Sequence, residues 1–160
     1  DSGEYKNSDC FAWRDNSLER IAKLKPHAVI FSGFQHFQVP AGYSSRREWW
    51  QAGQIRTLNS LRGNATHIVY ITDTPHPQQD IPACLAGGVI SDCDDSERSE
   101  AISIPCLKAV NPTPWLCSRT CPAIKDGYVV YRDASHISVA AAIALKPQLE
   151  KALADKGLFS

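Results

Sequence analysis

The chain has 160 residues in which 17 Lys+Arg balance 17 Asp+Glu, and 43% of its residues are apolar. That describes one domain with enough apolar material to remove about two-thirds of its unfolded surface from water, which excludes a disordered chain. Neutrality and the scatter of Lys and Arg exclude a polyanion-binding surface, nucleic acid included, and the longest strongly apolar stretch, 139–145, falls far short of a bilayer span.

Asn16-Ser17 ahead of Leu18, Ile21, Ala22 and Leu24 predicts a helix, with Glu19 suited to its positive end and Pro26 stopping it. Ala28-Val29-Ile30-Phe31, closing on Ser32-Gly33, reads as a buried strand. Helical spacing returns over 45–62 through Trp49, Ile55, Leu58 and Leu61, and Gly63-Asn64 supplies a stop. Ile68-Val69-Tyr70-Ile71, closing on Thr72-Asp73, is a second strand. Helices alternating with continuous apolar strands imply crossovers between parallel strands covered on both faces, hence an α/β domain.

From Thr74 to about Asn111 the periodicity breaks down among prolines and glycines, and a long loop region is expected, with a short helix near 95–103. The acidic stretch from Asp92 to Glu100 reads as a solvated face. Gly127 opens a last strand, Tyr128-Val129-Val130-Tyr131. Asp133 to His136 then turn into a helix over about 138–156, which Pro147 kinks or breaks.

The six cysteines are Cys10, Cys84, Cys93, Cys106, Cys117 and Cys121, an even and high count that points to an oxidising compartment. Zinc fits these spacings poorly. No C-x2-C pair occurs and no His lies three to five residues from another His, so neither metal nor cofactor is expected. Local geometry favours Cys84 with Cys93 and Cys117 with Cys121. Cys10 and Cys106 remain, either paired with each other or one of them with a partner outside the chain.

Tyr131-Arg132-Asp133-Ala134-Ser135-His136 sits where a strand ends and a helix begins, the end of an open α/β sheet at which ligands bind. An Asp and a His three residues apart fit two readings. The carboxylate orients the imidazole for general-base work, or the Asp is a cap followed by a surface His.

The text around this turn widens the comparison. Asp126 to Ser138, preceded by Trp115-Leu116-Cys117 and Cys121-Pro122, resembles the last block of the SGNH (GDSL-like) hydrolase superfamily. More closely, the chain resembles the extracytoplasmic SGNH domain fused to acyltransferase family 3 membrane proteins. Asp9-Cys10-Phe11-Ala12-Trp13-Arg14, Lys25 to Ile30, Asp73-Thr74-Pro75, and Pro82-Ala83-Cys84-Leu85 with Cys93 follow that subgroup in the same order.

The resemblance implies a flavodoxin-like SGNH three-layer sandwich with a parallel sheet, and it places Asp133 and His136 at the catalytic acid and base. Gln35, in Gly33-Phe34-Gln35-His36, lies where the superfamily has the Asn that donates to the oxyanion; Ser32, Gln35 and His36 fit equally as polar residues capping a strand. The nucleophile belongs to a Gly-Asp-Ser-like block upstream of the Asp-Cys-x-x-Trp segment. Asp1-Ser2-Gly3 has no apolar strand before it, so Ser2 is not assigned the role.

The chain, which holds no Met, is therefore expected to be the C-terminal major part of a single SGNH-like domain spanning 1–160 and continuing upstream. The central first strand and the serine would come from that missing segment. Without the strand, an apolar slot and unpaired backbone are expected in the sheet. The implied function is a serine esterase or O-acyltransferase acting on acyl, above all acetyl, esters of cell-envelope polysaccharide. Its partners would be the acylated or acceptor glycan and a fused membrane acyltransferase, and its place extracytoplasmic and tethered to the membrane. Trp49, Trp50, Tyr43 and Phe37 offer aromatic surface for a sugar ring, or Trp49 and Trp50 serve the core. The alternative function is an inactive SGNH-like module that binds glycan or positions the membrane enzyme.

Overall fold

Two apolar pentapeptides set the frame. β1 (Ala28–Ser32) and β2 (His67–Ile71) pair in parallel along their length, from Ala28 against His67 to Ser32 against Ile71. A short third strand, β3 (Lys108–Val110), continues the parallel sheet beyond β2. The order is β1-β2-β3, so β1 forms an edge, and no described residue pairs with its outer side. The structure, a computed structural model, describes residues 8–95 and 101–159. The expected short helix over 95–103 falls partly outside them, at 96–100; Asp95 instead forms an isolated bridge with Cys121, and residues 101–104 have no regular structure.

α1 (Ser8–Leu24) begins well before the expected start. Phe11 and Trp13 in its first half are 54% and 71% exposed, so that half carries no core-facing apolar stripe from which a helix could be read. It ends as expected, on Lys25 at φ +47° ahead of Pro26. α2 (Arg46–Leu61) opens on a capping box: Ser45 Oγ accepts from the Glu48 N–H, and Glu48 Oε2 accepts from the Ser44 N–H at 2.9 Å. Gly63, at φ +75°, lets the chain turn away after it.

Alternation along the strands sends side chains to two helical layers. Phe31, Tyr70 and Ala109 pack with Trp49 and Trp50 of α2, while Val69 and Val110 pack with Leu153 and Leu158 at the other face. Trp50 is the buried member of its pair, and its indole N–H donates to Tyr70 Oη at 3.0 Å.

The region from Thr74 to Asn111 holds more structure than its prolines advertise. α3 (Ile81–Gly87) is capped by Asp80, whose carboxylate accepts from the Ala83 N–H at 2.9 Å, and Pro82 lies in the first turn. A 3-10 turn, Ile90–Cys93, follows. Disulfides join Cys84 to Cys93 and Cys117 to Cys121, and these sulfurs build a second core with Ile81, Leu116, Val130 and Tyr131. Cys10 and Cys106 are exposed and not joined to each other.

The last strand departs from the sequence reading. α4 (Thr113–Leu116) leads to β4 (Ile124–Lys125), which pairs antiparallel with β5 (Tyr128–Val129). Asp126 and Gly127, at φ +49° and +84°, make the tight turn between them, so Tyr128 and Val129 belong to a hairpin, Tyr131 bridges Ile137 beyond it, and none of residues 128–131 joins the parallel sheet. α5 (Val139–Ala144) and α6 (Lys146–Ala154) then replace the single expected helix, with the break at Leu145, just before Pro147.

Candidate active site

The loop between β5 and α5 is drawn tight by its own backbone. Arg132 N–H donates to His136 O at 2.8 Å, Tyr131 bridges Ile137, and Ser138 caps α5 while its hydroxyl donates to Val129 O at 2.6 Å. Within that loop Asp133 Oδ1 accepts from the Ser135 N–H and the His136 N–H, each at 2.8 Å, and from Ser135 Oγ at 3.1 Å. The carboxylate is thereby aimed at the imidazole: His136 Nδ1 lies 2.9 Å from both carboxylate oxygens. A carboxylate only accepts, so Nδ1 carries the proton, and Nε2 is the ring nitrogen left to exchange a proton with a substrate or nucleophile.

The Ser135 backbone N–H, followed by the His136 ring, holds the Asp133 carboxyl well below the usual carboxylate range. The dyad is thus an ionised carboxylate on an imidazole, the arrangement that stabilises an imidazolium as it forms.

His136 and Ser135 face a cleft of about 280 Å³ whose other walls are Ser32, Gly33 and Phe34 after β1, and Ile71 to Thr74 after β2. These are the carboxyl ends of two adjacent parallel strands, where open α/β sheets place their ligands. Gly33 is there for a spatial reason. A Cβ on it would stand 2.9 Å from Trp50 Cη2. Gln35 is not among the lining residues. It is 2% exposed, its N–H donates to Asp73 Oδ2 at 2.9 Å, and its side-chain Oε1 accepts from the Ile102 N–H at 3.4 Å.

Two further features stand out: the first has no counterpart in the sequence reading, and the second lies where an apolar slot was expected beside the sheet. The first is a trio of His36, Asp73 and His76, gathered from the loops after β1 and β2. Inspection of His–His spacing misses it, because the local signal is Asp73-x-x-His76 and His36 joins only through the fold. Burial lowers the pKa of His36, with the neighbouring His76 acting in the same direction. The second is a mostly apolar groove of about 670 Å³ along β1, walled by α1, α2, Ile30 and Phe37. Ile30 and Phe37 are 45% and 58% exposed there.

With the cleft and dyad in place, comparison with known families is decisive. The family described as "SGNH domain (fused to AT3 domains)" matches residues 1–151. The chain belongs to this family. No curated protein and no solved structure matches it. The α/β architecture, with its three-stranded parallel sheet, is an SGNH-type fold, and the family supports a domain of the hydrolase or acyltransferase kind. Members are described as fused to AT3 domains; among the described residues of this SGNH domain, no helix is long and apolar enough to cross a membrane. Asp1-Ser2-Gly3 lies outside the described residues.

Proposed function

We propose that this SGNH domain is a serine-type esterase or O-acyltransferase for acyl, above all acetyl, esters of cell-envelope polysaccharide, with Asp133 and His136 as acid and base. The observation that carries the reading is the Asp133–His136 pair, Nδ1 held at 2.9 Å and the ring at the mouth of a strand-end cleft. His136 Nε2 takes the proton of a serine hydroxyl as that oxygen bonds to the acyl carbon. The tetrahedral intermediate collapses, the bond to the leaving alkoxide breaks, and His136 returns the proton to it. A sugar hydroxyl or water then repeats the sequence on the acyl-enzyme, and the choice between them separates transferase from hydrolase.

The serine is assigned to polypeptide preceding Asp1, on a strand that pairs with the open edge of β1. The unpaired edge and the apolar groove along it support this, since an uncovered edge strand with exposed Ile30 is costly and invites pairing. Gln35 is assigned to the oxyanion, with loop backbone amides, by its place in the loop after β1, where its N–H meets Asp73 of the cleft. Two disulfides and the AT3 fusion of the family support an extracytoplasmic, membrane-tethered place.

One observation favours the alternative of an inactive glycan-binding module. Ser135, the serine bonded to the imidazole among the described residues, meets Nδ1 at 3.0 Å and not Nε2. Acetyl-ester turnover by the full-length protein separates the two readings. The enzyme loses turnover in His136→Ala, whereas the binding module has none to lose yet retains glycan.

A further inference from the structure

The loops after β1 and β2 carry chemistry that acyl transfer does not use. His36, Asp73 and His76 each offer one donor atom, and the three atoms lie within 4.8 Å of one another. The two imidazoles lie against each other, centroids 4.2 Å apart with their planes inclined at 36°, and His76 Nε2 is 3.4 Å from Asp73 Oδ2. His36 Nε2 is buried and has no hydrogen-bond partner among the described residues. A buried polar atom left unsatisfied is unfavourable and calls for a partner.

The carboxylate is already aimed. Asp73 Oδ1 accepts from the Thr74 N–H at 3.0 Å and Oδ2 from the Gln35 N–H at 2.9 Å, the outer support that ligating carboxylates have in metal sites. Phe34 packs against both imidazoles, centroids 5.7 and 5.0 Å away, and shields them from water on one side. Two imidazoles and one carboxylate are a donor set for a borderline divalent metal, zinc foremost, and three protein ligands leave a fourth position for water or a substrate oxygen.

We propose that His36, Asp73 and His76 form a zinc site that ties the loop after β1 to the loop after β2, beside the cleft that Asp73 shares with His136. Arg46 Nη1 lies 3.4 Å from His36 Nδ1. When Nε2 binds the metal the ring proton moves to Nδ1, and Arg46, which is exposed, turns into solvent. Because Asp73 also lines the cleft of His136, the test reads metal rather than turnover.

The full-length protein, stripped of metal, is titrated with Co²⁺ and then with competing Zn²⁺. One equivalent of Co²⁺ binds with visible d–d absorption and is displaced by Zn²⁺. His36→Gln, Asp73→Asn and His76→Gln each weaken Zn²⁺ binding by about 100-fold or more. His27→Gln, in the separate imidazole pair with His67, leaves it unchanged. Absence of stoichiometric binding, undiminished binding in the three ligand variants, or loss of binding in His27→Gln overturns the proposal. Should the ligand variants fail to fold, wild-type crystals soaked in Zn²⁺ decide. An anomalous peak about 2.0–2.2 Å from the two imidazoles and the carboxylate supports the site; a peak only elsewhere, or none, overturns it.

Discussion

Asp133→Asn separates charge from shape at the dyad. Three donors, the Ser135 and His136 backbone N–H groups and Ser135 Oγ, converge on Oδ1, so an amide placed there keeps its carbonyl oxygen on that side. Its NH2 then occupies the Oδ2 position, 2.9 Å from His136 Nδ1 in the wild type. An NH2 can only donate, and Oδ1, though also 2.9 Å from Nδ1, already accepts three other bonds, so Nδ1 is drawn to accept from the NH2, the ring proton moves to Nε2, and the imidazole can no longer take a proton from a serine. Where such a pair is catalytic, the wrong tautomer lowers kcat by roughly 10⁴-fold. Acetyl-ester turnover by the full-length variant is therefore expected to fall by that order, with a circular dichroism spectrum like the wild type because the loop bonds to Oδ1 persist. A loss of less than about tenfold would refute the reasoning. The folded pKa of Asp133 is depressed, so whatever stability the charge lends is present above the unfolded value of about 3.9 and lost only as pH falls through the lower folded value. An acidic limb of activity above pH 4 accordingly does not shift in its position when Asp133 alone is considered.

Other substitutions test the packing that positions the site. Gly33→Ala forces a Cβ to 2.9 Å from a Trp50 ring that its bond to Tyr70 prevents from retreating, so urea unfolding should show a loss of about 1–3 kcal/mol, and a change below 0.5 kcal/mol would speak against the contact. Tyr131 Oη is buried with no partner among the described residues, and burial, then Asp95, pushes its pKa up to about 12. Tyr131→Phe should match or exceed wild-type stability. In the wild type the stability linked to this phenol is intact below the unfolded pKa near 10 and is lost as pH rises through about 12, a decline the Phe variant should lack. Replacing Cys84 and Cys93 by Ala opens a loop of sequence separation 9 and should cost about 2.5 kcal/mol, against about 2 kcal/mol for Cys117 and Cys121 at separation 4; a reversed order in urea unfolding counts against loop closure as the cause.

What could be read from the residues follows from how each signal is carried. β1 and β2 are continuous apolar runs, and the Asp133–His136 contact is made within one short loop, so both were legible locally. The two disulfides close short loops and were legible for the same reason. β3 has only Lys108, Ala109 and Val110, too short and too mixed to show a period. Pro82 read as a breaker, although in the first turn of α3 its missing N–H costs nothing. Asp126-Gly127 was the signal of a hairpin, yet the apolar run after it resembled a parallel strand. His36 and His76 are brought together by parallel pairing of distant strands, which no local spacing encodes.

The central claim is that His136 activates a serine supplied from upstream of Asp1. Peptide mapping of the full-length protein after reaction with a fluorophosphonate tests it most directly. The account predicts one covalent adduct, on a serine preceding Asp1, and its disappearance in His136→Ala. Absence of any adduct, or an adduct on Ser32 or Ser135 of the cleft itself, would contradict it.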